Sequence, residues 1–304
     1  MYQTNLSDGC FPLDFQLYLP EAWASDARRR QEAGIPEEIT FQRKWEIAVE
    51  MIDRVCGWAV PKGPVVADAG YGVASQFRAA LRARGLTYCL GITKDVTVWL
   101  GGLVRKAAPQ YAGRGRPRKP ELPPTQSVLE AARSLGEDAW AQITWRQGSR
   151  GPMTSRFAAV RVQPAHDTLQ GEEDEPVCWL LIEWPSDEQE PTRYWLSNLG
   201  EDTTLTDLVY VAKIRWWVEQ NYAQLKDELG LDHFEGRSWR GWHHHVTLTM
   251  IAFDFLVMEG YRQKKLYWVD PAQSPSGTAE DALHLDRLLS DVRTPGHPRR
   301  HLTE

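Results

Sequence analysis

Hydrophobic and polar positions change period several times along the chain. Residues 11–20, FPLDFQLYLP, alternate apolar and polar side chains and read as a strand bounded by prolines. Residues 41–58 instead place Trp45, Ala48, Val49, Ile52 and Val55 at helical spacing. GPVVADAGYG, residues 63–72, reads as a short buried strand entering a glycine-rich turn. A helix is predicted over 74–84, and TYCLGI, residues 87–92, as a second buried strand. A strand, a helix and a strand in that order predict a parallel pair in an α/β sheet.

The pattern shifts over residues 93–192, which are rich in Pro, Gly and charge and carry the short strand candidates WAQITWR, FAAVRVQP and VCWLLIEW. This stretch reads as a β-rich insertion. RYWLSNL, residues 193–199, is predicted to close it as a strand. A long helix is predicted over 205–229, capped by Thr204 or Thr206 and stopped at Gly230, and a second over 245–260. Beyond residue 260 the composition turns Pro-, Ser- and charge-rich and reads as a loose tail. The expected organisation is therefore 1–92, 93–192, 193–260 and 261–304.

A chain of 304 residues can bury a full core. No apolar run approaches the roughly 18 residues of a membrane span, and no basic-then-apolar signal opens the sequence, so a cytoplasmic chain with no membrane partner is expected. Cys10, Cys56, Cys89 and Cys178 are scattered and fit neither a zinc knuckle nor a disulfide framework. The formal net charge is −6, but its distribution matters more than its sum. Residues 105–119 contain Arg105, Lys106, Arg114, Arg116, Arg118 and Lys119 and no acid, whereas residues 163–191 contain nine acids and no Lys or Arg. An acidic loop of that density is expected to be solvated, and it leaves room for a basic surface elsewhere.

Two acids stand out. Asp68 ends a buried strand just before AGYG, where ligands gather in open α/β sheets. It reads equally as a cap for the turn that follows. Glu219 lies in RWWVEQNYAQLKDELG, where Arg215, Glu219, Tyr222 and Lys226 fall within an arc of about 60° of a helix. They flank an apolar stripe of Val211, Ile214, Val218, Leu225 and Leu229, so Glu219 is expected to be partly desolvated. The same spacing also fits two plain i,i+4 contacts, Arg215 with Glu219 and Tyr222 with Lys226. A strand-end Asp and a helical Glu separated by an insertion are placed to converge on one Mg2+ site, since carboxylate oxygens suit that ion.

Arg215-x3-Glu219-x6-Lys226 resembles three-quarters of the tyrosine–arginine–glutamate–lysine signature of DDE transposases of the insertion-sequence-four superfamily. VVADAGYG resembles that family's strand bearing the second Asp. The stretches PLDFQLYLPEAWASDARRRQEAGIPEEITFQRK and LGLDHFEGRSWRGWHHHVTLTMIAF and the order of elements resemble the family too, over roughly residues 3–260. The resemblance implies an α/β, ribonuclease-H-like core interrupted by a β-rich insertion. It implies DNA transposition by Mg2+- or Mn2+-dependent cleavage and strand transfer on double-stranded element ends, in a synaptic homodimer. By the same resemblance Asp68 and Glu219 are catalytic metal ligands, Arg215 and Lys226 contact phosphates or DNA ends, and Trp216 or Trp217 offers a stacking surface.

Two positions depart from the family. Its signature Tyr falls at Ala212, leaving Tyr210 as the nearest substitute. Its first Asp has no counterpart: Asp8 lies in a turn-like NLSDG and Asp14 on what resembles a later strand. An N-terminally truncated, incomplete core is expected, with an incomplete two-metal site, an exposed edge on the strand before Asp68, and an upstream-encoded segment as a possible partner. Alone, such a chain is expected to be catalytically incompetent. The alternative is a non-catalytic, DNA-binding or dimerising regulator. An unrelated nucleotide-binding reading of ADAGYG lacks either phosphate-loop motif.

Other features read more weakly. GRGRPRKP, with Arg114, Arg116, Arg118 and Lys119, reads as a loop near DNA phosphates or a minor-groove hook. His243, His244 and His245 point about 100° apart on a helix and read as packing rather than as a metal site. Arg237, Trp239, Arg240 and Trp242 alternate base and aromatic and suit a DNA end.

Overall fold

The computed structural model describes residues 2–5, 9–58, 60–102, 122–148, 151–165 and 174–264. The basic run 103–121, which holds Arg114, Arg116, Arg118 and Lys119, lies outside the described residues, as do Asp8 and residues 265–304.

A short hairpin, β1 (Tyr2–Asn5) and β2 (Gly9–Phe11), opens the chain. The expected strand over 11–20 stops at Phe11. Residues 12–20 run without a ladder partner, and side chains hold them instead: Arg54 donates to Asp14 at 2.8 Å and to Gln16 at 2.9 Å. Apolar alternation needs a neighbouring strand before it becomes a strand, and none among the described residues pairs with it. Two short helices follow, α1 (Glu21–Ala24) and α2 (Ala27–Ala33), then α3 (Lys44–Gly57).

Among the described residues the main sheet has eight strands. β3 (Val65–Ala67) and β4 (Tyr88–Ile92) are the parallel pair that the strand–helix–strand pattern predicts. Between them lie the single turn α4 (Ala69–Gly72) and α5 (Ser75–Ala83). From β4 the sheet continues antiparallel through β10 (Arg193–Ser197), β9 (Cys178–Trp184), β8 (Gly151–Pro164), β5 (Thr97–Leu100) and β6 (Gln126–Ser127). β7 (Ala141–Gly148) also pairs with β8. The strands of residues 93–192 thus extend the sheet that β3 and β4 begin. β3 stands at one end, paired only with β4 among the described residues.

Alternate strand positions bury opposite faces, as the pleat requires. Ile92, Val162, Leu180, Ile182, Tyr194 and Leu196 pack under α6 (Val128–Ser134), a helix capped by a reciprocal Ser127–Glu130 box. On the other face Cys89, Phe157, Leu181 and Trp195 meet Leu208, Val209, Val211 and Ala212 of α7 (Leu205–Ile214). A third cluster joins Phe77, Leu81, Leu86, Tyr88 and Leu90 to Trp45, Ala48, Val49 and Ile52 of α3. Full burial of each such large apolar side chain contributes roughly 1.5–3 kcal/mol.

Thr204 caps α7 through a reciprocal bond pair with Asp207. The predicted single helix over 205–229 is interrupted at Arg215, where Val218 N–H bonds the Arg215 carbonyl three residues back in a tighter, 3-10-type turn. α8 (Trp216–Asp227) follows, Gly230 takes the left-handed φ of 67° beyond its end, and α9 (Trp239–Lys264) completes the described chain. Among the described residues no helix is long and apolar enough to cross a membrane.

Candidate metal and nucleic-acid site

A cavity of about 480 Å3 opens where β3 and β4 end, β10 begins and α7 passes into α8. Asp68 reaches it from the carboxyl end of β3, the position at which parallel strands commonly present ligands. Its carboxylate is exposed and accepts a hydrogen bond from Gly70 N–H at 2.9 Å, so it caps the α4 turn as well as facing the cavity. The glycines of AGYG serve backbone packing. A Cβ on Gly72 would overlap the Gly91 carbonyl oxygen, and one on Gly91 would stand 3.2 Å from Ala69 N. Their absence lets the turn after Asp68 lie directly on β4.

Glu219 lines the same cavity from α8. It is paired with Arg215, four residues earlier, through a guanidinium–carboxylate hydrogen bond. The side chain of Glu219 is 56% exposed, more than its place beside the apolar stripe predicts. The interruption at Arg215 separates the well-buried α7 from the first turn of α8, where Trp216 to Val218 are only half-buried. Tyr222 packs edge-on against Phe15 at 6.0 Å. Burial raises the Tyr222 hydroxyl pKa, with a smaller push from Tyr71; burial, then the Asp68 charge, likewise raises that of Tyr71.

The rest of the lining is aromatic and basic. Trp216 and Trp217 meet edge to face at 5.0 Å, and the Arg146 guanidinium lies 3.6 Å over the Trp216 ring. Burial lowers the pKa of Arg146. Lys213 is nearly buried, bonded to both Glu183 carboxylate oxygens at 2.7 Å, with its ammonium 4.2 Å from the Trp145 ring and 5.6 Å from that of Trp195. Burial is the main cause of its lowered pKa, opposed by the Glu183 charge. Arg193 also lines the cavity, as do Ala212, the position where the family signature's Tyr falls, and Tyr210, its nearest substitute.

The structure therefore brings together Asp68, Glu219, Arg215, Trp216 and Trp217. Lys226, Arg237 and Arg240 are exposed but lie outside the lining. Sequence reasoning passed over Lys213, Arg146, Arg193 and Trp145. The available signal was Lys213 itself, a charge four residues after Val209 on the apolar face of α7. Asp14 is bound to Arg54 rather than facing the cavity.

The histidines are engaged locally. His243 Nδ1 lies 2.8 Å from the Trp239 carbonyl, and His245 Nε2 lies 2.9 Å from that of Gly230. Burial pushes the Cys89 and Cys178 thiols up to about 12, so they stay protonated and are poor metal ligands at neutral pH. The acidic run is not wholly solvated: Glu175 is buried against Arg78 and Arg82, and Glu183 against Lys213. Among the described residues no group of three or more His, Cys, Asp or Glu is placed to hold a metal.

No curated protein matches the chain. A family model does, over a stretch that contains Asp68 and ends before Glu219. Across residues 4–152 the chain is similar to the DDE superfamily endonucleases.

Proposed function

We propose that this chain acts on double-stranded DNA as a transposase-type endonuclease of ribonuclease-H-like fold, with Asp68 and Glu219 as its metal-holding acids. The observation that carries this reading is their convergence, from distant parts of the sequence, on one cavity lined by Arg146, Arg193, Arg215 and paired tryptophans. The match to DDE superfamily endonucleases over residues 4–152 supports it independently.

Two accessible carboxylates form a hard-oxygen donor set that suits Mg2+ or Mn2+. Such an ion, when bound, neutralises charge on a phosphodiester and makes a bound water more acidic. Arg215 neutralises Glu219 in the absence of substrate, and an arriving phosphate is a competing partner for its guanidinium. Trp216 and Trp217 offer flat surface to an unstacked base. Lys226, Arg237 and Arg240 are exposed phosphate contacts farther out, with Arg114, Arg116, Arg118 and Lys119 in the same role.

Among the described residues Asp68 and Glu219 are the only acids that line the cavity, one fewer than a three-carboxylate, two-metal site needs. The chain by itself is then a weak metal binder and a poor catalyst. The same shortage of acids favours a second reading, a DNA-binding or dimerising chain that regulates a complete enzyme.

Plasmid cleavage and strand transfer with Mg2+, alongside Mn2+ titration calorimetry, test these points. The expected result is salt-sensitive DNA binding, Mn2+ binding lost in Asp68→Asn, and no turnover above background. Turnover abolished by Asp68→Asn would show that the site is complete as it stands. Mn2+ binding indifferent to both Asp68→Asn and Glu219→Gln would remove the metal role, and DNA binding without it would leave the regulator.

A further inference from the structure

α4 is four residues long, a single turn of helix. One turn fixes more backbone than its own hydrogen bonds repay, so it keeps its shape only where neighbours hold it. Asp68 caps its start by accepting from Gly70 N–H, and Tyr71 packs tilted against Phe77 with ring centroids 5.8 Å apart. Its last residue is held differently. Arg78, only 1% exposed, donates from Nη1 to the Gly72 carbonyl.

The direction of that donor is set from the other edge of the guanidinium. Arg78 Nε donates to one carboxylate oxygen of Glu175 at 2.9 Å, and Nη2 donates to the other. A two-point fork fixes the plane of the guanidinium and leaves Nη1 aimed at the turn. Glu175 is held in its own place, buried and with Arg82 Nη1 3.0 Å from its second oxygen. Arg78 and Arg82 stand four apart on α5, so both reach Glu175 from one side of that helix. Gly72 is bonded in both directions: its N–H donates to the Asp68 carbonyl at 3.0 Å, and its own carbonyl accepts from Arg78. A single residue therefore links the guanidinium to the backbone of Asp68.

We propose that Arg78 and Glu175 are positioning residues for Asp68. Their fork holds the α4 turn closed and so sets where the Asp68 carboxylate stands in the cavity, a role that rests on Asp68 as a metal-holding acid. Neither side chain lines the cavity. Glu175 lies just before β9, so this acid from the β-rich stretch acts on the site only through Arg78. An apolar pair of similar size would fill the same space but would offer no donor to Gly72. That need gives a reason for burying two charges where desolvation is costly.

Amide hydrogen exchange and Mn2+ titration calorimetry on the full chain test this. Two variants remove the fork: Arg78→Met together with Glu175→Leu deletes both charges, and Arg78→Lys keeps the cation without its planar geometry. In each, the amides of Tyr71, Gly72 and Val73 are expected to exchange about tenfold faster while β8 and β9 keep their protection. Mn2+ binding is expected to weaken about three- to tenfold. Arg82→Met removes a partner of Glu175 without touching the turn, and is expected to leave both readings within about twofold. Turn exchange at the native rate in the double variant overturns the proposal, as does equal loosening in Arg82→Met. Faster turn exchange with unchanged Mn2+ affinity overturns it too, because the turn then does not place Asp68. A native chain that binds no Mn2+ removes Asp68 as a ligand instead, and the exchange rates still decide whether the fork holds the turn.

Discussion

A guanidinium bonded to a carboxylate competes with any cation that the carboxylate could bind, and Arg215 holds that position toward Glu219. Both side chains are partly exposed, so the pair contributes little to stability, on the order of 0.2–1 kcal/mol. That range still matters to a weak site. Arg215→Gln is expected to tighten Mn2+ binding by roughly two- to fivefold and to weaken DNA binding, as read by titration calorimetry and salt-dependent retention. Unchanged Mn2+ affinity would mean that Arg215 does not hold Glu219 back. At this scale the sequence left Asp68 open between a ligand and a turn cap, and the structure has it capping the α4 turn while lining the cavity. Lys213 was not legible, because its meaning depends on Glu183, thirty residues earlier in the chain, and on rings of Trp145 and Trp195 from two other strands.

Elements decide how closely the acids can approach one another. The α4 turn lies on β4 because neither Gly72 nor Gly91 has a side chain, and that contact sets the height of Asp68 above the sheet. Gly72→Ala is expected to push the turn off β4 and to destabilise the protein by about 1–3 kcal/mol, the usual range for an overpacked contact. Denaturant unfolding reads the loss, and the same variant should bind Mn2+ more weakly although no carboxylate has changed. Sequence marked this turn only as glycine-rich; the close approach of Gly72 to the Gly91 carbonyl is what requires a glycine there. The parallel β3–β4 pair was legible from local pattern. The break at Arg215 was not, since the residues on either side both carry helical spacing. Residues 12–20 show the converse error: they alternate as a strand does, yet lack a neighbour with which to pair.

For the molecule as a whole, long-range ion pairs tie the halves of the sequence together. Arg78 on α5 is buried against Glu175, ninety-seven residues later, and also donates to the Gly72 carbonyl; Arg82 completes the group at 3.0 Å from Glu175. Glu175→Ala leaves the buried Arg78 without its counter-charge and is expected to cost about 3–5 kcal/mol by denaturant unfolding. The paired replacement Arg78→Met with Glu175→Leu should cost less, because the fully buried charge is removed and only Arg82, whose side chain is 24% exposed, loses its partner. A run of nine acids reads from composition as a solvated loop, and no local property marks out the members that turn inward. The strand order was likewise beyond local pattern: β7, β8 and β9 were legible one by one, but neither β5 and β6 nor the continuity with β4 was.

That continuity also orders events in time. β4 gains its second neighbour only when β10 arrives, after the chain has passed through β5 to β9, so the pairing of Leu90 with Leu196 closes a loop of more than a hundred residues. Loop closure of that length is entropically costly and slow compared with forming the β7–β8 and β8–β9 hairpins. Until then Asp68 is expected to stand on a two-stranded β3–β4 ribbon covered by α3 and α5 alone. The cavity, whose walls include β10 and α8, is therefore expected to be assembled late.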